Sequence, residues 1–124
     1  MSETEPIQLP LAAKAGGQAQ HNDGVNRRGG IAFNREELSQ ILNVYGRKVA
    51  SGEWRDYAID FRPGMAIFSI FRHTAEQPLY AIAKVPGAAQ GGYMVYNGPR
   101  KLAHGESLED VLRVFDRKLR LLLG

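Results

Sequence analysis

Apolar residues recur at helical spacing in two stretches of the chain and at alternate positions in the region between them. The first stretch opens at Asn34, a good N-cap, and Glu37 three residues on has the spacing to reach back to the Asn34 amide. Phe33 and Leu38 flank this start as a hydrophobic staple. Leu38, Ile41, Leu42, Tyr45 and Val49 then form one apolar stripe, and Ser51–Gly52 supplies the stop. The spacing predicts a helix over 35–50, weakened by about 1 kcal/mol by Gly46 in its interior. Next, Tyr57, Ile59 and Phe61 alternate with Ala58, Asp60 and Arg62, the signature of a strand with two different faces. Pro63–Gly64 marks a turn. MAIFSIFR is apolar on both faces, PLYAIAKV reads as a third strand and YMVYN as a shorter fourth. Ser107 caps the last stretch, where Leu108, Val111, Leu112, Phe115, Leu119 and Leu122 make a second stripe. Acids at its start (Glu109, Asp110) and bases near its end (Arg117, Lys118, Arg120) complement the helix dipole. Short connections imply an antiparallel meander. The expected fold class is α+β, a single domain in α-β-β-β-β-α order with two helices packed on one face of the sheet.

Before Phe33 the pattern is absent. Residues 1–30, rich in Ala, Gly, Gln and Asn, bury too little apolar surface to offset their ordering entropy and are read as a disordered tail, leaving 31–124 as the domain. Ile7, Leu9 and Leu11 alternate within it, and Arg27–Arg28 is a local basic pair. The 124 residues suit one domain, and no apolar run is long enough to cross a bilayer. The N-terminus lacks a basic n-region and an apolar h-region, which argues against a secretory signal. With no cysteine, thiolate chemistry, disulfides and Cys-based metal sites are excluded, and a cytoplasmic location fits. The formal net charge of +3 permits a nucleic acid or another anionic partner without arguing for one.

From Phe33 onward, FNREELSQILNVYGRKVASGEWRDYAIDF, FSIFRHTAEQPLYAIAK and LEDVLRVFDRKLRLL resemble a family of short bacterial proteins catalogued only as a domain of unknown function. The resemblance covers most of residues 33–122. It implies a domain boundary and no activity, cofactor or catalytic residue.

Candidate chemistry is sparse. His21, His73 and His104 have no ligand partner at the short spacings that build a metal pair; His73 with Glu76 is the nearest approach to a proton-transfer pair. There is no nucleophile elbow, and GGYMVYNG and AGGQAQ lack the Lys-Ser/Thr ending of a phosphate-binding loop. No cofactor is implied. Trp54, between Glu53, Arg55 and Asp56, suits either an exposed interface anchor or, more economically, a residue folded back onto the helix.

One consistent set for the sheet face away from the helices is Asp60, Arg62, Arg72, Tyr80, Lys84 and Tyr96. Arg62, Arg72, Tyr80, Lys84 and Tyr96 of this set, with Trp54 and Arg55, make the candidate interaction surface. Such residues suit a protein interface, including one between two copies of the chain, because Tyr and Arg are enriched there. The two-sided hydrophobicity of MAIFSIFR favours that reading. A nucleic-acid platform is the alternative, since the element order resembles that of double-stranded-RNA-binding domains in outline. Against it, Glu106, Glu109 and Asp110 stand at the last helix where those domains carry bases, and Arg113 follows only later. A small-molecule enzyme without a recognisable motif is the third reading.

Overall fold

The computed structural model describes residues 24, 25, 29–73, 77–89 and 91–123, with side chains up to 116. The tail before Gly24, Arg27–Arg28, Glu76 and the side chains of Arg117, Lys118, Leu119, Arg120 and Leu122 lie outside the described residues. Helix α1 spans Arg35–Ala50, and its capping box is closed in both directions: Glu37 N–H donates to Asn34 Oδ1 at 2.8 Å, and Asn34 N–H donates to Glu37 Oε1 at 2.7 Å. At the other end Gly52 takes φ +83°, and the bonds Gly52 N–H to Val49 O and Glu53 N–H to Lys48 O complete a Schellman motif. Helix α2 spans Leu108–Leu123 and starts where expected, with Ser107 Oγ accepting from Asp110 N–H.

Between the helices lie β1 (Asp56–Arg62), β2 (Met65–Phe71), β3 (Tyr80–Lys84), β4 (Tyr93–Asn97) and β5 (Arg100–Gly105). They form one antiparallel sheet in the order β1-β2-β3-β4-β5. The class, the meander and the flanking helices agree with the sequence pattern; the fifth strand is additional. RKLAHG starts with two cations and shifts register against Val95 and Tyr96, so it shows no period-two pattern to read.

One face of the sheet carries the core. Ile59, Phe68, Ile82 and Val95 stand in register across four strands, flanked by Tyr57, Ile70 and Tyr80. Both helices cover this face: Tyr45 of α1 meets the Phe68 ring at 6.2 Å, and Phe115 of α2 meets Tyr80 at 5.0 Å. The inward row of α1 is Glu37, Ile41, Val44 and Lys48, not the five-residue apolar stripe expected. Leu42 and Val49 are exposed, at 39% and 40%. Glu37 and Lys48 can take inward positions because each has an ionic partner, Lys84 at 2.9 Å for the first and the half-exposed Glu53 at 3.6 Å for the second, and Leu42 and Val49 are left outside.

The fold also reaches back into the expected tail. Val25 bridges Ile31, and Ala32 N–H donates to the Gly24 carbonyl at 2.7 Å, with Gly24 buried. Where the β3–β4 connection returns, Gly91 has φ +112°, and a Cβ there would strike the Gly105 carbonyl and stand 2.8 Å from Glu106 N. Gly91→Ala is expected to lower the unfolding free energy by about 3 kcal/mol, since strained backbone and overpacking add. Urea denaturation checks this; a loss under about 1 kcal/mol would mean that the loop relaxes freely.

Candidate functional site

The sheet face away from the helices is built in two cross-strand rows. The register aligns Ala58, Ser69, Ala81, Tyr96 and Lys101 in one, and Asp60, Ile67, Ala83, Met94 and His104 in the other. Met65 and Phe71 extend it along β2. The middle strands therefore present small and apolar side chains, while charge is confined to the two edges. Ala83 and Met94 are buried, the Tyr96 hydroxyl reaches Met94 Sδ at 3.6 Å, and Asp60 is paired with Arg62 at 3.2 Å on the exposed rim. Among the described residues, neither helix covers this surface.

Of the residues expected on the interaction surface, Arg62 and Tyr96 are on this face. Arg55 and Arg72 are exposed and adjoin the same end of the β1–β2 pair. Tyr80 and Lys84 belong to the opposite face. The register puts Tyr80 beside Ile70 and Lys84 beside Ala66, so both point under the helices. Trp54 is likewise interior, 4% exposed, and packs against Tyr45, Tyr80 and Phe115. It closes the junction between the two helices. The error at Tyr80 and Lys84 has a simple origin: a Tyr and a Lys bracketing Ala-Ile-Ala suggest polar outward positions, whereas Ile82, of the same parity, is fully buried.

Lys84 is inside because it has partners there. Its ammonium donates to Glu37 Oε1 at 2.9 Å and to the Ala32 carbonyl at 2.7 Å. The Tyr93 hydroxyl donates to the other Glu37 oxygen in a short hydrogen bond. Glu37, 6% exposed, thus accepts from the Asn34 amide, Lys84 and Tyr93 together. Glu37 was legible as a cap and Tyr93 as a strand residue. The missed signal was a cation at a core-parity strand position, which demands a buried acid somewhere else in the chain. A pocket of about 270 Å³ opens beside this cluster, lined by Lys84, Pro86, Gly91, Gly92, Tyr93 and Glu106. It falls just below the roughly 300–1,000 Å³ of ordinary small-molecule sites. Its one cation is already held by Glu37 and the Ala32 carbonyl.

His73 and His104 are exposed at distant places, the first after β2 and the second on β5. Among the described residues, no group of three or more His, Asp or Glu is placed to hold a metal.

Three phenols are perturbed upward. Burial, then Asp56, then Tyr57 push Tyr45 up to about 12. Burial and Asp56 raise Tyr57. Tyr93 is raised by burial, by its hydrogen bond to Glu37 and by the charge on that carboxylate. A folded-state value above the unfolded one favours the neutral phenol in the fold, so this stabilisation is complete below pH ~10 and is lost as pH climbs through the folded values. The urea midpoint is expected to fall between about pH 10 and 12, and to fall less steeply in Tyr45→Phe. Equal slopes in the two proteins would remove Tyr45 as a cause.

A family model described as protein of unknown function (DUF2794) matches residues 31–112. No curated protein and no solved structure matches the chain.

Proposed function

The chain belongs to the DUF2794 family, whose description carries no activity, and we propose that it acts as a non-enzymatic protein-interaction module through its helix-free sheet face. The observation that carries this reading is the distribution of residues in the two cross-strand rows: Ile67, Ser69, Ala81 and Tyr96 on the middle strands beside buried Ala83 and Met94, with Asp60, Lys101 and His104 on the edge strands. An apolar centre inside a charged rim is the usual anatomy of a protein interface. The small side chains of Ala58, Ser69 and Ala81 leave room for branched apolar side chains of a partner protein. Single-strand nucleic-acid platforms instead place stacking aromatics centrally and cations along the track. On this face the central strands carry two aromatics, Tyr96 and Phe71, while Lys84 is committed to Glu37 and α2 begins with acids. The ionisable groups that do converge, Glu37, Lys84 and Tyr93, satisfy one another, which supports a structural rather than catalytic role for them.

A photo-crosslinking amino acid at Ser69, in cells that make the protein, tests the reading. The expected result is one protein adduct of defined mass that disappears when Ala81→Arg is added. The same adduct from a probe at Glu109 on α2, or no protein adduct from Ser69, would defeat it. A nucleic-acid adduct from Ser69 would establish the alternative.

A further inference from the structure

We infer that two copies of this chain pair through β1, with the outer rows of their α1 helices in contact above the joined strands. The β1 edge is distinct from the centre of the helix-free face, with Asp56 and Arg62 at that face's rim, and the inference does not depend on the centre binding anything. β1 ends the sheet. The large hydrophobic side chains most exposed on the described fold are Val25, Leu42, Val49 and Phe61; Leu42 and Val49 stand on α1 and Phe61 on β1. Leu38, Leu42, Tyr45 and Val49 follow one another at i, i+4, i+7 and i+11, one step round the helix from the buried row. Tyr45 lies over Tyr57 with ring centroids 5.0 Å apart, while Glu37 bonds Lys84, which stands in register with Ala66 and Phe61. Helix and strand therefore run in opposite directions, and Ile59 lies level with the Ile41–Leu42 turn.

Charge and shape along β1 are self-complementary about Ile59. Under a two-fold axis there, Tyr57 faces Phe61 of the second copy on the helix side. Asp56 faces Arg62 of the second copy on the other side. A two-fold contact requires this kind of self-matching patch. The backbone agrees. The two-residue Pro63–Gly64 turn makes Arg62 and Met65 a hydrogen-bonded pair, so Tyr57, Ile59 and Phe61 aim their N–H and C=O groups at the free edge. The amides of Tyr57 and Phe61 are held by Asp56 Oδ1 at 2.8 Å and Asp60 Oδ1 at 2.9 Å. Ile59 follows Ala58 and has no such carboxylate before it. The edge is thus blunted against indiscriminate strands and open at the centre, where a symmetric pair forms its first reciprocal bonds. Once paired, the Tyr57 amide bonds the second copy and Asp56 is released toward Arg62 of that copy.

Sedimentation of the full chain over a concentration series tests this. The wild type is expected to dimerise, and Asp56→Arg or Arg62→Asp to weaken the dimer about tenfold, with the double charge swap restoring it to within about threefold. Leu42→Glu, at an exposed position, is expected to weaken it about a hundredfold with the thermal midpoint of the monomer unchanged. Ile67→Asp on the helix-free face should leave it intact. A monomer at every concentration overturns the inference. So does a dimer indifferent to Asp56, Arg62 and Leu42 but lost with Ile67→Asp; that outcome would place self-association on the other face.

Discussion

Trp54→Ala is expected to remove about 3–5 kcal/mol of unfolding free energy, the largest effect of any single truncation in the core. Trp54 belongs to no helix or strand; it sits between the Schellman turn of α1 and the first residue of β1. From there its ring reaches Tyr45 on α1 at 6.1 Å, Tyr80 on β3 at 5.9 Å and Phe115 on α2 at 5.0 Å, the last edge to face. Removing the indole leaves a void bounded by three different elements, and none of them can close it without leaving its other contacts. Against a net stability of roughly 5–15 kcal/mol, that loss takes much of the margin. Urea denaturation at neutral pH gives the number. Trp54→Phe, which keeps an aromatic against Phe115, should lose less than half as much. If Trp54→Ala lost under about 1 kcal/mol, the junction would not be the centre of the core.

The second large effect is at Glu37. Glu37→Leu strands the Lys84 ammonium, 13% exposed, with the Ala32 carbonyl as its remaining acceptor. It also leaves the Tyr93 hydroxyl and the Asn34 amide without their present acceptor. Breaking a buried pair from one side costs about 3–5 kcal/mol, whereas replacing both partners by apolar residues is close to neutral. The double variant Glu37→Leu, Lys84→Met should therefore be more stable than Glu37→Leu alone. It should still fall about 1–2 kcal/mol below wild type, because the cap and the Tyr93 bond are gone. Equilibrium unfolding of the three proteins decides this. Additive losses in the double variant would mean that the two charges do not stabilise the fold through each other.

Much of this architecture was legible because local signals agreed. Asn34 and Glu37 announced the start of α1 and Gly52 its end, and the alternation from Tyr57 to Arg62 placed each β1 side chain on the correct face. The rest turned on partners distant in sequence. Nothing near Lys84 shows that Glu37, 47 positions earlier, will neutralise it, so its face was misread along with that of Tyr80. The facing of α1 has the same source, since two charged residues with partners take inward positions and Leu42 and Val49 are left outside. The charged neighbours of Trp54 suit an exposed or a buried ring alike, and its burial against three rings makes it core. For the helix-free sheet face, the pattern points to Arg62 and Tyr96 but not to the small residues of β2 and β3 between them. Alanine and serine carry no polarity signal strong enough to mark a surface.

The meander has a kinetic consequence. Every strand pairs with its neighbour in the chain, so each hairpin closes a short loop and the ribbon can zip stepwise with little entropy lost at any step. The clasp from Glu37 to Lys84 and Tyr93 spans 47 and 56 positions and has to wait until β3 and β4 are laid down. Docking of the α1 N-terminus is thus a late event on the descent to the native state. In a chevron experiment, losing the clasp should raise the unfolding limb and leave the refolding limb nearly where it was.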